Sequence, residues 1–204
     1  MGIDVGTSGT RAIVIDATGS ILGAATAEYP LHTPKPLWAE QDPGDWWRAA
    51  TQVMRQAIVA SGVTPREIAC VGLTGQMHGT VFLDEQSAVI RPAMLWCDQR
   101  TDAECAWVTA RVGAVRLAEL TCNLALTGFS APKIVWLREH EPTAYARLRK
   151  VLITQGLSAL SAYRRVRDRG LRCLGHVAVR RSPTPMVGRD SGKTRDRSTL
   201  APRG

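Results

Sequence analysis

The chain has 204 residues, of which 45% are hydrophobic, 5% aromatic and 22% charged. That apolar fraction excludes a wholly disordered chain, and no stretch approaches the roughly 18 consecutive apolar residues of a membrane span. Five cysteines without a C-x-x-C pair argue against a disulfide framework or a zinc ribbon. Met1 leads straight into Gly2-Ile3-Asp4-Val5 with no basic, apolar leader, so the expected location is the cytoplasm. The net charge of +8 conceals an asymmetry: residues 1–150 balance at −1, and residues 151–204 at +9. All six tryptophans lie in the first segment, so the two segments need separate treatment.

Gly2-Ile3-Asp4-Val5 predicts a short strand, Gly6 to Thr10 a turn, and Arg11 to Asp16 a second strand. After the Ala17-Thr18-Gly19-Ser20 turn, Ile21 to Tyr29 completes an antiparallel meander. Asp42 as N-cap, Pro43 at the first helical position and Asp45 in the first turn open a helix. Trp46, Ala50, Val53, Met54, Ala57 and Ile58 form its apolar face, and Ser61-Gly62 ends it. Strands are predicted over 68–74 and 80–84, helices over 99–112 and 131–140, and the start of a strand at Lys150 to Ile153. A meander feeding βα units is an α/β fold with a mixed sheet.

Three places carry candidate chemistry. Asp4 precedes a Gly-Thr-Ser-Gly turn whose backbone N–H groups, with the Thr7 and Ser8 hydroxyls, suit a phosphate. A carboxylate there could serve Mg²⁺, or it could simply cap an ordinary hairpin. Gly75-Gln76-Met77-His78-Gly79 sets an amide, a thioether and an imidazole between two strands, a mix suited to a polyhydroxylated ligand. A lone loop histidine is, however, more often structural. Trp96 to Arg100 offers an aromatic face and hydrogen-bonding groups; Asp98 alone is most simply an N-cap. Cys97, Cys105 and Cys122 lack metal-ligand grouping, and the Trp46-Trp47 pair reads as helix-entry packing. Gly188 to Thr194 imitates a phosphate-binding P-loop but has three residues where that loop needs four, and no strand precedes it.

In combination these segments are specific. Gly2 to Thr10 resembles the phosphate-loop opening of the FGGY carbohydrate kinases, which have an actin-like, ribonuclease H-like fold. Pro36 to Pro43, Gly75 to Gly79, Arg91 to Arg100 and Gly128 to Lys133 resemble segments of the xylulokinase branch, in order and at matching intervals. The resemblance covers residues 2 to about 153. It implies that Asp4 helps place Mg²⁺ and the ATP phosphates, and that Gly6, Thr7 and Ser8 line the phosphate loop. Gln76, Met77 and His78 would meet a ketopentose, with Trp96 and Asp98 near the same pocket. The implied reaction moves the ATP γ-phosphate to D-xylulose. The family's catalytic base, an aspartate in a Gly-Gly-x-Asp motif, and its second, adenine-binding domain lie further along the family's sequence than the resemblance reaches. The 204-residue chain by itself is therefore expected to be inactive.

After Ile153 the resemblance stops. Family members continue with Lys-Asp-Tyr and then Leu-Thr-Gly. Reverse translation from Thr154 and removal of one base yields Thr-Lys-Asp-Tyr-Leu-Arg-Tyr-Arg-Leu-Thr-Gly. Residues 1–153 are thus expected to be a partial kinase N-terminal domain, and 154–204 an out-of-frame basic tail without fixed structure. The rival reading is a tail that binds nucleic acid non-specifically through its eleven arginines. Against it, the tail has one aromatic, Tyr163, and no nucleic-acid module signature. A third reading is a non-catalytic interaction protein built on the half-domain.

Overall fold

A computed structural model describes residues 1–157; the P-loop imitation and, from residue 158 on, the tail expected to lack fixed structure lie outside the described residues. Strands β1 (Gly2–Val5), β2 (Gly9–Ile15) and β3 (Ile21–Glu28) form the expected meander. Ile3 and Val5, with Ala12 and Val14 on β2, enter the core, while Asp4 stands on the opposite, exposed face. This is the period-two consequence of the pleat.

A two-residue strand, β4 (Glu40–Gln41), leads into helix α1 (Pro43–Ser61). The Asp42 side chain accepts from the Gly44 N–H at 2.8 Å, and Gly62 closes the helix in the left-handed conformation at φ +69°. Trp46, Ala49, Ala50, Val53 and Ala57 face the meander, while Met54 is only partly buried. Gly23 of β3 admits this helix: a Cβ there would lie 2.6 Å from the Ala57 carbonyl oxygen. Each fully buried large apolar side chain on that face contributes about 1.5–3 kcal/mol.

The remaining strands are β5 (Gly72–Gly75), β6 (Thr80–Leu83), β7 (Ala93–Met94) and β8 (Lys150–Ile153). β5 pairs parallel with β1, giving a mixed sheet in the order β3-β2-β1-β5. A second, antiparallel sheet runs β4-β7-β6-β8, so the described strands form two sheets rather than one. The predicted strand over 68–74 shrinks to begin at Gly72, because a single 3₁₀ turn at Pro65–Glu67 precedes it and residues 68–71 pair with no strand.

Helix α2 (Asp102–Val112) is shorter than predicted and stops at Gly113, where φ is +87°. A further helix, α3 (Ala114–Thr121), follows at once; the pattern had not marked it. Helix α4 (Ser130–His140) matches expectation to within a residue, and α5 (Pro142–Arg147) begins at the following proline. Pro142 is an N1 proline that starts a new helix as well as ending the old one. Phe82, Met94, Trp136 and Leu137 form a second small core where α4 covers the β6–β7 strands.

Packed structure continues past Ile153. Residues 154–157 are helical, the Gln155 amide donates to the Gly75 carbonyl at 2.7 Å, and Leu157 is buried in the main core. Among the described residues no helix is long and apolar enough to cross a membrane.

Candidate active site

The parallel pair β1·β5 fixes where chemistry can occur. Val5 lies opposite Gly75, so both strands end together and their following loops share one edge. In sheets with parallel strands, that carboxyl edge is where ligands bind.

The loop after β1 is held from inside through its carbonyls. Tyr29 donates its hydroxyl to the Gly6 carbonyl at 2.6 Å, Gln41 donates its amide to the Thr7 carbonyl at 2.6 Å, and the Tyr29 N–H reaches the Ser8 carbonyl at 3.4 Å. Burial pushes the Tyr29 hydroxyl above its ordinary pKa, which keeps it a neutral donor. The Gly6 N–H closes the turn onto Gly9, but among the described residues no acceptor takes the N–H of Thr7 or Ser8. Carbonyls turned inward and amides left outward suit an anion. Asp4 is exposed on the same face, as a carboxylate serving a metal–phosphate complex must be.

Mg²⁺ keeps several waters and takes one or two carboxylates plus phosphate oxygens. Asp4 fits that role; among the described residues no group of three or more histidine, cysteine or acidic side chains could hold a metal without a phosphate ligand.

Gly75 to Gly79 forms the neighbouring loop. Gln76 is buried, donates to Gln41 Oε1 at 3.2 Å, and accepts from the Thr7 hydroxyl at 3.3 Å. It braces the loop and leaves no free amide for a ligand. Met77, 69% exposed, is the outward side chain, and His78 stands half-buried with its ring 4.7 Å from Phe129. The His78 backbone has φ +56°, an unusual conformation for a residue with a Cβ, and one that clusters at functional sites. Gly79 is required where it is, since a Cβ would come within 2.5 Å of Thr154 Oγ1.

Trp96 completes the constellation. It is 50% exposed, and its indole N–H donates to Thr7 Oγ1 at 3.0 Å. A side chain from beyond β7 thus touches the phosphate loop, while the same Thr7 hydroxyl meets Gln76. Asp4, Ser8, Met77 and Trp96 are exposed and His78 is half-buried, and Trp96 and Gln76 both reach the Thr7 hydroxyl.

Asp98 is not on that surface. It is fully buried; its carboxylate accepts the Ala39 N–H at 2.7 Å, the Arg100 N–H at 3.1 Å and the Arg100 guanidinium. Nor is it a helix cap, because α2 begins four residues later with Thr101 at the N-cap. Arg100 in turn meets Glu40 at 2.8 Å and lies 3.5 Å over the Trp38 ring, and Arg91 also meets Glu40. This buried ionic cluster holds the loop that carries Trp96, so Asp98 bears on the site through Trp96. Cys97 is half-buried, and desolvation raises its thiol pKa, consistent with an inert side chain.

Sequence reasoning assigned no role to Tyr29, Gln41, Glu40, Arg91, Arg100 or Lys133. Gln41 is fully buried with every polar atom used: it also accepts from the Trp46 indole at 2.9 Å and donates to the Pro30 carbonyl at 3.3 Å. Lys133 left a readable signal, since a cation in the first turns of a helix opposes the dipole. A cleft of about 680 Å³ between Trp38, Arg100, Trp136 and His140 includes neither the phosphate loop nor Met77, His78 or Trp96.

The N-terminal domain of the FGGY family of carbohydrate kinases matches residues 1–158, five residues beyond the resemblance read from the motifs. The xylulose kinase of Escherichia coli K12 is 40% identical over 153 residues, covering 75% of this chain and 31% of the relative. A glycerol kinase of Rhodospirillum centenum is 38% identical over 149 residues, covering 72% and 30%. Among solved structures, a xyloylose kinase from Brucella ovis aligns with TM-score 0.74 at 38% identity, over 78% of this chain and 33% of that one. Xylulose kinase from Rhodospirillum rubrum aligns at TM-score 0.75 and 28% identity, again over 78% and 33%. The chain spans about a third of the length of the relatives it matches. Its fold is the expected actin-like ATPase fold, and the chain belongs to the FGGY family of carbohydrate kinases.

Proposed function

We propose that residues 1–157 carry the phosphate-loop and sugar-loop portion of a kinase that moves the ATP γ-phosphoryl group to a ketopentose, D-xylulose. The observation that carries this reading is the meeting of Trp96 and Gln76 on the Thr7 hydroxyl, which sets Met77 and His78 beside the phosphate loop. Thr7 and Ser8 N–H groups would bind phosphate oxygens, with Asp4 holding Mg²⁺ through water or directly. Met77 would pack on the carbon face of the sugar, the His78 imidazole would hydrogen-bond a hydroxyl, and Trp96 would bound the pocket beside them. ATP supplies the transferred group; this chain's residues supply position and charge.

Phosphoryl transfer also needs a group to take the hydroxyl proton. Among the described residues, the acids on the site's elements are Asp4, Glu40 and Asp98, and the last two are buried in ion pairs. We therefore read the 204-residue polypeptide as able to bind but not to turn over. Calorimetric titration should detect D-xylulose more tightly than glycerol, with binding lost in His78→Ala, and no D-xylulose 5-phosphate should form with ATP and Mg²⁺. Equal affinity for glycerol, or no binding of either, would sink the ketopentose reading. ATP-dependent turnover abolished by Asp4→Ala would overturn the inactivity.

The basic segment from about residue 155 is read as the product of a one-base insertion, which motivates its loss of family resemblance. The gene's nucleotide sequence tests this. Codons that do not return the family segment on removal of one base would refute it.

A further inference from the structure

Lys133 is the one described lysine with a fully buried side chain. It sits near the N-terminal end of α4, where the helix dipole disfavours a cation, and burial penalises it further. Neither the helix nor the core gains from the charge. What it gains is three carbonyls: Nζ donates to Leu95 at 2.7 Å, Gly128 at 2.8 Å and His78 at 3.0 Å, one acceptor for each ammonium N–H. The Met94 carbonyl stands further off at 3.5 Å.

Those carbonyls come from three separate loops, and each bears on the site. His78 carries the imidazole on a left-handed backbone. Leu95 immediately precedes Trp96. Gly128 lies so close to Trp96 that a Cβ there would be 2.7 Å from its carbonyl oxygen, and the next residue, Phe129, meets the His78 ring. A ring of backbone carbonyls around one positive centre is the chemistry by which proteins replace the hydration shell of a monovalent cation.

We propose that Lys133 is a positioning residue that acts as a tethered monovalent cation, locking the His78, Trp96 and Gly128 loops into one arrangement, so that its removal leaves a carbonyl cage able to take a free ammonium ion. The link to sugar binding rests on the kinase reading above; the cage itself does not. Asp98, Cys97 and Arg100 are the neighbouring titratable or charged groups felt by Lys133, and Asp98 favours its charged form.

The test uses the full 204-residue chain at pH 7 as wild type, Lys133→Ala and Lys133→Met. The Trp96 indole N–H resonance, assigned by its loss in Trp96→Phe, reports the loop, and D-xylulose titration reports the pocket. In Lys133→Ala the indole resonance should leave its hydrogen-bonded position, and sugar affinity should fall on the order of tenfold, as for one lost charge-assisted interaction. Ammonium chloride should restore both, whereas tetramethylammonium chloride at equal ionic strength should not. Lys133→Met fills the space without donors and should be impaired without rescue. A wild-type-like Lys133→Met, or a Lys133→Ala chain that ammonium neither restores nor refolds, would overturn the proposal. If wild type ignores D-xylulose while ammonium still restores the indole resonance, the sugar reading fails and the cage stands.

Discussion

The two loops at the heart of the site are held in opposite ways. The phosphate loop after β1 is braced by neutral groups: Gly6 to Gly9 closes on itself, and Tyr29 and Gln41 hold its carbonyls. The sugar side is braced by buried ions. The Trp96 loop is fixed by Asp98, Arg100 and Glu40, and the His78 loop by Lys133 from a helix 55 residues away in sequence. Neutral side chains and backbone hold the part that would receive a highly charged ligand, and buried ions hold the part that would receive a neutral one. A buried charge beside the phosphate loop would alter the field at the ligand; beneath the sugar loops it sets geometry while the exposed groups stay neutral or weakly polar.

Breaking the ionic side should cost most. Asp98→Ala leaves the buried Arg100 short of a partner and the Ala39 N–H without an acceptor. Removing one member of such a pair costs about 3–5 kcal/mol. Urea unfolding should show that loss, and Asp98→Asn should recover part of it through the Ala39 N–H. A change below 1 kcal/mol would mean the cluster is not what holds the Trp96 loop.

Gln41 joins the two regions, so its removal should affect both at intermediate cost. Gln41→Leu strands the Thr7 carbonyl and the Trp46 indole N–H in a buried setting, a penalty of about 2–3 kcal/mol. Amide exchange at Gly6 and Gln76, whose N–H groups bond Gly9 and Val5, should speed up together. Acceleration at Gly6 alone would show that the loops are not coupled through Gln41.

These contrasts also explain what the sequence made legible. The meander and α1 with its Asp42 and Gly62 caps depend on residues near one another, and the turn from Asp4 to Ser8 is marked by its glycines, so propensity and periodicity suffice to find them. The glycine-bracketed loop at 75–79 was visible as a loop. That Gln76 would be an interior brace was not, because its partners Gln41 and Thr7 lie 35 and 69 residues away. Asp98 showed as an acid before a helix, where local chemistry favours a cap; the Ala39 N–H, 59 residues away, and Arg100 held by Glu40 overrode that preference. The second sheet was hidden because β4 and β7 have two residues each and carry no period.

The smallest expected effect concerns pH. Burial pushes Lys133 down to about 8, from an ordinary value of 10.5, with Asp98 opposing. Between those values the unfolded chain binds the proton that the folded chain has lost, so this group's contribution to stability rises with pH across the window. The difference in urea midpoint between wild type and Lys133→Met should shift in favour of wild type from pH 8 to 10. A flat difference would place the ammonium at an ordinary pKa and a falling one above it, held by its carbonyls against the cost of burial; either would contradict the downward shift.

The most direct test of one site built from two unlike loops is a pair of separate titrations, followed residue by residue in NMR spectra of the whole chain. D-xylulose should shift the Met77 methyl, the His78 ring protons and the Trp96 indole N–H together, leaving the Gly6 and Ser8 amides little changed. ATP with Mg²⁺ should shift the Gly6 and Ser8 amides, and Asp4→Ala should weaken only that second response. If D-xylulose instead shifts residues of the cleft between Trp38 and Trp136, or moves none of the three reporters, Met77, His78 and Trp96 are not a sugar pocket and the account is contradicted.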